Sequence, residues 1–357
     1  MRETPFGPVY DNILEGIGKT PMVKVSALDT GPCELYLKLE SSNPGSSIKD
    51  RIGVAMIEAA EEQGKLKPGG TIVEATAGNT GLALALVAAQ KGYKSIIVVP
   101  DKMAQEKIFH LKALGADVRL TRSDVGKGHP EYYQDVAARL AEETGAFYVN
   151  QFCNEQNPKA HEDMTGPEIY GQLDGDVDAI IAGVGSGGTI SGLSHFFKEK
   201  SPKTEIILAD PEGSILTDYV NKGAPPNEVG SWLVEGIGED FIPDIADLSY
   251  VKKAYDITDK ESFEAARDLL KKEGILGGSS SGTILAAALK YCREQKEKKR
   301  VVAFVCDRGE KYLSKMFNDY WMYDQGFLKR PPKGDLTDLI TRRHSEHATI
   351  TVTPEDT

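Results

Sequence analysis

Short β-rich runs alternate with longer helix-like runs along most of this chain, and few fold classes accept such a pattern. Thr71 to Glu74 has the composition of a strand, Asn79 to Lys91 that of an Ala- and Leu-rich helix, and Ser95 to Val99 that of a second strand. A further series begins with the strand Asp178 to Ala182 and the helix Thr189 to Lys198. Strands separated by helices of this length are typical of parallel sheets covered by helices. We therefore predict an α/β fold.

The length, composition and net charge of the chain exclude some classes of function. The chain has 357 residues, of which 40% are apolar and 27% charged, enough for two ordered domains. Its 42 Lys and Arg against 54 Asp and Glu give a net charge of −12, which argues against nucleic acid or an anionic membrane as the main partner.

The cysteines, the histidines and the N-terminal residues indicate in which compartment the protein is located and whether it binds a metal. The four cysteines are scattered without a C-x-x-C pair, as in proteins with reduced thiols, and no histidine pair forms a zinc signature. The N-terminus lacks an apolar signal core, and no run of 18 apolar residues occurs. We expect a cytoplasmic protein with no metal site.

A glycine-rich stretch, Gly183 to Thr189, follows one predicted strand and opens the next predicted helix. Glycines allow a tight turn, and several N–H groups at a helix N-terminus then point at one spot, which favours a phosphate. Structural need could explain one or two glycines, but four in six residues favour anion binding. The candidate phosphate ligands are Gly185, Ser186, Gly187, Gly188 and Thr189.

The same stretch has a second interpretation. Gly183, Gly185 and Gly188 satisfy the G-x-G-x-x-G pattern of dinucleotide-binding folds, and Asp210 ends the following strand, where an NAD enzyme keeps its ribose-binding acid. The two hydroxyls of the stretch slightly favour a terminal phosphate monoester. An NAD oxidoreductase remains an alternative at this stage.

Lys49 is the candidate reactive amine. A Ser-, Asn-, Pro- and Gly-rich loop leads into an Ala-rich helix beginning near Ile48, which places Lys49 in the first turn. A cation is unfavourable there, and the same field lowers the pKa of the amine and frees it as a nucleophile. Lys49 could instead be a solvated surface lysine or pair with Asp50. Ser46-x-x-Lys49 also matches an acyl-transfer pattern, whose partner motifs are absent.

Two further turns carry polar side chains. Glu74 to Gly81 is a strand-to-helix turn with hydroxyls, an amide and two glycines, and its N–H groups could bind a carboxylate. Asn79 or Thr80 could equally be a plain N-cap. The serine cluster Gly277 to Thr283 opens a late helix and is also explained as a cap. A phosphate turn, a reactive amine and a carboxylate loop together are what a pyridoxal-phosphate enzyme requires.

With these motifs in their order along the chain, the sequence resembles the fold type II pyridoxal-phosphate enzymes of the cysteine synthase and cystathionine β-synthase family. The resemblance covers about Gly16 to Phe327. Its segments are Gly18 to Pro21, Asn43 to Arg51, Thr76 to Gly81, Gly185 to Thr189 and Gly277 to Thr283.

Three segments are similar to the cystathionine β-synthase branch of that family: Asp210 to Leu216, Val234 to Pro243, and Trp321 to Leu328. Cysteine synthases tend to carry Gln at the position of Glu235. Two segments point elsewhere. Ala77 stands where the family commonly has Ser, and Gly309 to Ser314 is close to a cysteine synthase segment. Nothing near the N-terminus resembles the haem-binding extension of the animal enzymes, so we predict no haem.

The resemblance implies roles for individual residues. Lys49 would hold pyridoxal phosphate as an internal Schiff base and serve as the catalytic base, with the phosphate in Gly185 to Thr189. Asn79 would bind the ring hydroxyl, and Ser279 would face the pyridine nitrogen. The implied ligands of the substrate carboxylate are Thr76, Ala77, Gly78, Thr80 and Gln151.

The resemblance also implies an architecture like that of the tryptophan synthase β-subunit. Two α/β lobes, each with a mainly parallel sheet, would enclose the active site between them. Residues 1–42 and 150–328 would form a larger cofactor-binding lobe and residues 43–149 a smaller, mobile substrate lobe. Residues 329–357 would be a linker and the truncated start of a regulatory CBS-pair (Bateman) module. A homodimer is expected.

The implied reaction is β-replacement, in which homocysteine displaces the hydroxyl of serine to give cystathionine. Two alternatives remain open within the family. One is a cysteine synthase that uses O-acetylserine and sulfide, and the other is an O-acetylserine-dependent cystathionine synthase. In each case the expected partners are small amino-acid substrates rather than nucleic acid or membrane.

Overall fold

The computed structural model describes residues 2, 4–5, 7–76, 78–101, 103, 105–126 and 128–329. The strands are β1 Met22–Lys24, β2 Glu34–Lys38, β3 Thr71–Ala75, β4 Lys94–Pro100, β5 Asp117–Thr121, β6 Phe147–Tyr148, β7 Ala179–Ala182, β8 Glu205–Pro211, β9 Val251–Ile257 and β10 Arg300–Phe304. The helices are α1 Lys49–Glu62, α2 Asn79–Lys91, α3 Gln105–Ala113, α4 Tyr133–Thr144, α5 Gln156–Ala160, α6 Gly166–Gln172, α7 Gly188–Lys200, α8 Leu216–Lys222, α9 Asp259–Glu273, α10 Ser279–Glu294 and α11 Asp319–Asp324.

Within those residues the strands form two sheets. The larger has the order β1-β2-β10-β7-β8-β9, and every neighbouring pair is parallel except β1 and β2. The smaller has the order β5-β4-β3-β6 and is parallel throughout. These two mainly parallel sheets with their helices confirm the predicted fold class. The lobe boundaries at residues 43 and 149 stay a prediction.

Most predicted elements match the structure to within a few residues, and the differences have physical reasons. The sequence predicts the late helix over Thr283 to Glu297, whereas α10 spans Ser279–Glu294, so the serine cluster forms its first turn. The edge strand β9 was not predicted, because its charged residues Lys252 and Lys253 are exposed and interrupt the apolar run. The helical stretch 156–172 also escaped prediction. It contains two prolines and includes a π-helical turn, His161–Thr165.

A buried ionic cluster ties the first turn of α1 to the larger sheet and α6. The Arg51 guanidinium donates from Nε to Glu40 Oε2 at 2.7 Å and from Nη2 to Glu40 Oε1 at 2.8 Å. It also donates from Nη1 and Nη2 to the two oxygens of Glu168, at 2.8 and 2.7 Å. Lys38, whose side chain has no exposed surface, lies 2.7 Å from Glu168 Oε2. Arg51 therefore joins α1, two residues from Lys49, to residues before and after it in the chain.

The charged groups of this cluster stabilise one another's ionised forms. Burial opposes ionisation of Glu168, but the hydrogen bonds and charges of Arg51 and Lys38 lower its pKa to about 2. Removing one partner of a buried ion pair strongly destabilises the fold, because the remaining charge is left uncompensated. The cluster therefore helps to hold the first turn of α1 against the larger sheet and α6.

No helix within the described ranges is long and apolar enough to cross a membrane. The predicted linker and start of a regulatory module lie mostly beyond residue 329, outside the described residues.

Candidate active site

The predicted motifs converge around Asp307, which lies just beyond the end of β10. Ser47, two residues before Lys49, forms an isolated β-bridge with Asp307. The Asn79 amide donates from Nδ2 to Asp307 Oδ2 at 2.8 Å. The Gly278 N–H donates to the Asp307 carbonyl oxygen at 3.1 Å. One residue thus joins the lysine turn, the turn before α2 and the turn before α10.

Lys49 is the first residue of α1, as predicted, and its side chain lies in a partly buried environment. Burial lowers the pKa of its amine below the ordinary value, while electrostatic interactions with Cys306, Glu239 and Asp307 act in the opposite direction. A lowered pKa increases the fraction of neutral amine, which is the nucleophilic form. The structure therefore favours a reactive lysine over a solvated surface lysine.

The glycine-rich turn runs from β7 into α7, as predicted. Gly187 has φ +91°, in the left-handed region that favours glycine. A Cβ at Gly185 would lie 2.6 Å from the Gly236 carbonyl oxygen, and one at Gly188 would overlap Asn157 Oδ1. Close packing alone therefore requires these glycines, so the case for an anion site rests on the polar groups around the turn.

Asn157 on α5 links the turn to the substrate-binding candidates. Its Nδ2 donates to Ser186 Oγ at 2.9 Å and to the Gln151 carbonyl oxygen at 2.8 Å. Because Ser186 accepts here, its own hydroxyl proton is left to donate elsewhere. Asn157 Oδ1 is buried and has no hydrogen-bond partner within the described part of the chain. An amide oxygen only accepts hydrogen bonds, so this atom can pair with a donor such as water but not with an ionised phosphate.

His161 supports the other hydroxyl of the turn. Its Nε2 lies 3.2 Å from Thr189 Oγ1, and its Nδ1 lies 2.9 Å from Thr165 Oγ1. Burial lowers the pKa of His161 well below its usual value, and the nearby charges of Lys49 and Arg51 lower it further. The ring is therefore neutral, with one nitrogen donating and the other accepting, and it fixes the Thr189 side chain.

The carboxylate-binding candidates lie together, although they come from distant parts of the chain. Thr76 Oγ1 accepts from the Gly78 N–H at 3.1 Å. Thr80 Oγ1 donates to Gln151 Oε1 at 2.7 Å. Ala77, the remaining candidate, lies outside the described residues. The structure therefore brings Gln151 to the turn between β3 and α2, as the resemblance implies.

Ser279 is buried at the start of α10, and its Oγ accepts from the Glu235 N–H at 3.0 Å. The same loop approaches the glycine turn, since the Gly238 N–H donates to the Val184 carbonyl oxygen at 2.8 Å. Residues 235–238 therefore connect the predicted phosphate end of the site to its predicted pyridine end. The pairing of Ser279 with a ring nitrogen stays a prediction.

Glu235 itself forms ion pairs beside the substrate loop. The Lys107 amine contacts Glu235 Oε2, and the Lys315 amine lies 2.6 Å from Oε1. Burial opposes ionisation of Glu235, but these two ammonium groups lower the pKa of its carboxyl. A Cβ at Gly78 would lie 3.4 Å from Lys107 Nζ. Charges of both signs therefore line the site next to the carboxylate-binding turn.

Asp210, the acid on which the dinucleotide interpretation depends, is used elsewhere. Its buried Oδ2 accepts from the Thr217 N–H at 2.9 Å and from the Thr217 hydroxyl at 3.1 Å. A carboxylate that holds the start of α8 in this way is not directed at a ribose beside the glycine turn.

A comparison with known families decides between the two interpretations. Residues 13–307 match the family described as "Pyridoxal-phosphate dependent enzyme". The chain belongs to this family. Pyridoxal phosphate is therefore the cofactor, and the alternative of an NAD oxidoreductase is wrong.

Curated relatives in this pyridoxal-phosphate dependent family include a cystathionine beta-synthase of Apis mellifera, 45% identical over 91% of this chain and 64% of the relative. A cysteine synthase of Staphylococcus aureus is 43% identical over 85% of the chain and 96% of its own length. The chain thus spans less than two thirds of the length of the first relative. Among solved structures, O-ureido-L-serine synthase superposes with a TM-score of 0.82, at 30% identity, over 94% of this chain and 100% of the other.

The residues of this pyridoxal-phosphate dependent enzyme fit the cofactor that its family implies. The glycine turn supplies N–H groups at the N-terminus of α7 and the Ser186 hydroxyl, which are the donors that a phosphate requires. The partly buried amine of Lys49 suits a covalent bond to an aldehyde. The donor set therefore offers a partner for both ends of the molecule.

Sequence reasoning missed several residues that assemble this site. Asn157 and His161 support the glycine turn, and their spacing of four residues places both on one helical face. That spacing was a usable signal once a helix was assigned there. Asp307 and Lys311, which flank Asn79, follow the last strand of the larger sheet, where parallel α/β sheets carry their sites.

The buried carboxyl group of Glu74 helps to hold the carboxylate-binding turn, and its ionisation can be tested by mutation. It is fully buried at the end of β3, and its Oε2 accepts from the Gln151 N–H at 3.3 Å. Burial raises the pKa of Glu74 from 4.5 to about 8. The folded chain therefore keeps a proton that the unfolded chain releases, and Glu74 makes stability fall as the pH rises from about 4.5 to about 8.

We expect Glu74→Gln, which mimics the protonated form, to gain stability over the wild type as the pH increases. Urea unfolding of both proteins at pH 5, 6.5 and 8 measures the difference, which should be smallest at pH 5 and largest at pH 8. A difference that stays constant with pH would contradict a raised pKa for Glu74.

Proposed function

We propose that this chain is the catalytic part of a cystathionine β-synthase, which replaces the β-hydroxyl of L-serine with the thiol of L-homocysteine. Support comes from the curated cystathionine beta-synthases of Apis mellifera, Mus musculus and Saccharomyces cerevisiae, at 41–45% identity over 90–93% of the chain. The chain covers 58–68% of the length of those proteins.

The ion pairs of Glu235 are the observation that favours homocysteine as the acceptor substrate. Its carboxylate and the amines of Lys107 and Lys315 present charges of both signs beside the carboxylate-binding turn. An amino-acid acceptor brings an ammonium and a carboxylate that can exchange with such pairs, whereas sulfide brings neither. This arrangement therefore favours homocysteine over sulfide.

In the proposed reaction, Lys49 carries the cofactor, and the turn Gly185 to Thr189 binds its phosphate. When bound, pyridoxal phosphate withdraws electrons from the α-carbon of a linked amino acid and acidifies the α-proton. Once the substrate amine has displaced it from the cofactor, Lys49 would accept that proton at Nζ and, as an ammonium, would return a proton to the β-hydroxyl, which departs as water. Thr76, Ala77, Gly78, Thr80 and Gln151 hold the substrate carboxylate, chiefly through backbone N–H groups.

Ser279 favours this type of reaction over others that the family's cofactor supports. An alcohol can donate a hydrogen bond to a ring nitrogen but is too weak an acid to protonate it, whereas an aspartate would stabilise the protonated ring. Departure of a β-substituent needs less electron withdrawal than transamination or racemisation. Serine at this position therefore supports β-elimination followed by addition.

A second candidate is cysteine synthesis from O-acetylserine and sulfide. The Staphylococcus aureus cysteine synthase, which this chain matches over nearly its whole length, favours it. An O-acetylserine-dependent cystathionine synthase combines the donor of one candidate with the acceptor of the other.

Product analysis separates these candidates. The purified chain, loaded with pyridoxal phosphate, is given serine or O-acetylserine together with homocysteine or sulfide, and the products are identified by mass spectrometry. We expect cystathionine from serine and homocysteine to form fastest. Faster formation of cysteine from O-acetylserine and sulfide would reject the first candidate, and faster cystathionine formation from O-acetylserine would identify the donor as the acetylated one.

We further propose a cytoplasmic homodimer with a smaller lobe, residues 43–149, that moves on substrate binding. Exposed apolar side chains near the N-terminus, Val9, Tyr10 and Ile13, support a subunit contact. The four cysteines carry no disulfide, which supports a reducing compartment. A regulatory CBS-pair module after residue 329 is proposed from the sequence alone.

A further inference from the structure

Asn79 is held between two charged groups, a carboxylate and an ammonium. It is the first residue of α2, and its amide donates from Nδ2 to Asp307 Oδ2 at 2.8 Å. On the other side, the Lys311 ammonium donates to Asn79 Oδ1 at 2.7 Å. Both partners come from the segment after β10, far from Asn79 in sequence.

The chemistry of these partners allows one orientation of the amide. An ammonium group can only donate hydrogen bonds, and an ionised carboxylate can only accept them. Rotating the Asn79 amide by 180° would direct its NH₂ group at Lys311 and its oxygen at Asp307, so both contacts would become repulsive. Two independent partners therefore enforce the same orientation.

In this orientation one N–H of the Asn79 amide donates to Asp307, and the second N–H does not. We propose that Lys311 and Asp307 are positioning residues, which fix the Asn79 amide so that this remaining N–H is presented to the anionic ring oxygen of pyridoxal phosphate. The inference rests on the proposed cofactor-binding role of Asn79 and adds the residues that determine its geometry.

The surroundings keep the pair in place. Lys311 is only 9% exposed, in the short 3₁₀ turn Gly309–Tyr312, so few alternative positions are open to its side chain. The Tyr312 hydroxyl donates to the same Asp307 oxygen at 2.8 Å. Burial lowers the pKa of Lys311, while the carboxylates of Asp307, Asp50 and Glu310 resist that change and the Lys107 charge adds to it.

The test uses Lys311→Met, which keeps the aliphatic stem and removes the donor, beside Lys311→Arg, which keeps a donor. Lys290→Met is the matched control, because Lys290 forms an ion pair with Glu261 at 2.8 Å in a more exposed setting. The dissociation constant of pyridoxal phosphate is measured by absorbance titration of each apoprotein. The visible spectrum at saturating cofactor and the unfolding temperature of each apoprotein are recorded as well.

We expect Lys311→Met to raise the dissociation constant about tenfold, the effect of losing one charge-assisted hydrogen bond. The visible band of its saturated form should also be altered, which a purely structural role would not produce. Lys311→Arg should restore most of both properties, and Lys290→Met should match the wild type.

A Lys311→Met protein with wild-type affinity and spectrum would overturn the inference. If that variant does not fold, Tyr312→Phe, which removes only the hydroxyl donor to Asp307, should show a smaller shift in the same direction, and its absence would overturn the inference instead. Product formation by the wild-type chain tests the proposed function separately, so the two failures can be told apart.

Discussion

Replacing Lys49 with alanine is expected to reduce turnover of serine and homocysteine by at least about a thousandfold. The variant loses both the amine that would bind the cofactor and the base that would remove the α-proton. The fold should persist, because alanine is a good helix former and the substitution removes a partly buried amine from the first turn of α1. Mass spectrometry of the cystathionine formed, together with thermal unfolding, measures both effects.

The matched control is Lys290→Ala, which removes a more exposed lysine from α10. It should retain wild-type turnover, and its cofactor should still be fixed to the protein by borohydride reduction. The Lys49→Ala protein should instead release its cofactor after the same treatment and denaturation. Full turnover by a folded Lys49→Ala variant would reject the reaction scheme and the assignment of every other residue around it.

Replacing Arg51 with methionine is expected to cost about 3–5 kcal/mol of unfolding free energy, the usual effect of breaking a buried ion pair on one side. Methionine retains much of the side-chain volume, but Glu40 and Glu168 lose their shared partner. The pKa of Glu168, now about 2, should rise in the variant, so the stability that its ionised form adds above about pH 4.5 should be lost, and the difference from the wild type should be larger at pH 7 than at pH 4. Urea unfolding at pH 7 and pH 4 measures both changes.

Arg119→Met provides the comparison for this experiment. Arg119 pairs with Asp117 at 2.7 Å, but its side chain is 59% exposed, and surface pairs of this kind contribute about 0–1 kcal/mol. If Arg51→Met unfolds at the same urea concentration as Arg119→Met, the buried cluster does not hold α1 in the way its geometry indicates.

The sequence was sufficient to predict the parts of the fold that depend on local pattern. The apolar run of α2 and its glycine turn gave its bounds, and Lys49 was placed in the first turn of α1 from the loop that precedes it. The glycine turn before α7 was found in the same way. In each case a turn leads directly into a helix, so the signal lies in neighbouring residues of the sequence.

The supporting residues could not be found in this way, because their partners lie far away in sequence. Asp307 meets Asn79 from 228 residues along the chain, and Glu168 meets Arg51 from 117 residues along. A buried asparagine or glutamate also looks like a surface residue when only its neighbours in sequence are read. The strand β9 was missed for a related reason, since three of its seven residues are exposed.

The contacts Thr80–Gln151, Gln151–Asn157 and Asn157–Ser186 form an unbroken path of hydrogen bonds from the carboxylate-binding turn to the glycine turn. Where a molecule bound at Gln151 changes the affinity for an anion at Ser186, thermodynamic linkage requires the anion to change the affinity for that molecule by the same factor. Affinities at the two ends should therefore be compared at a stated occupancy of the other end.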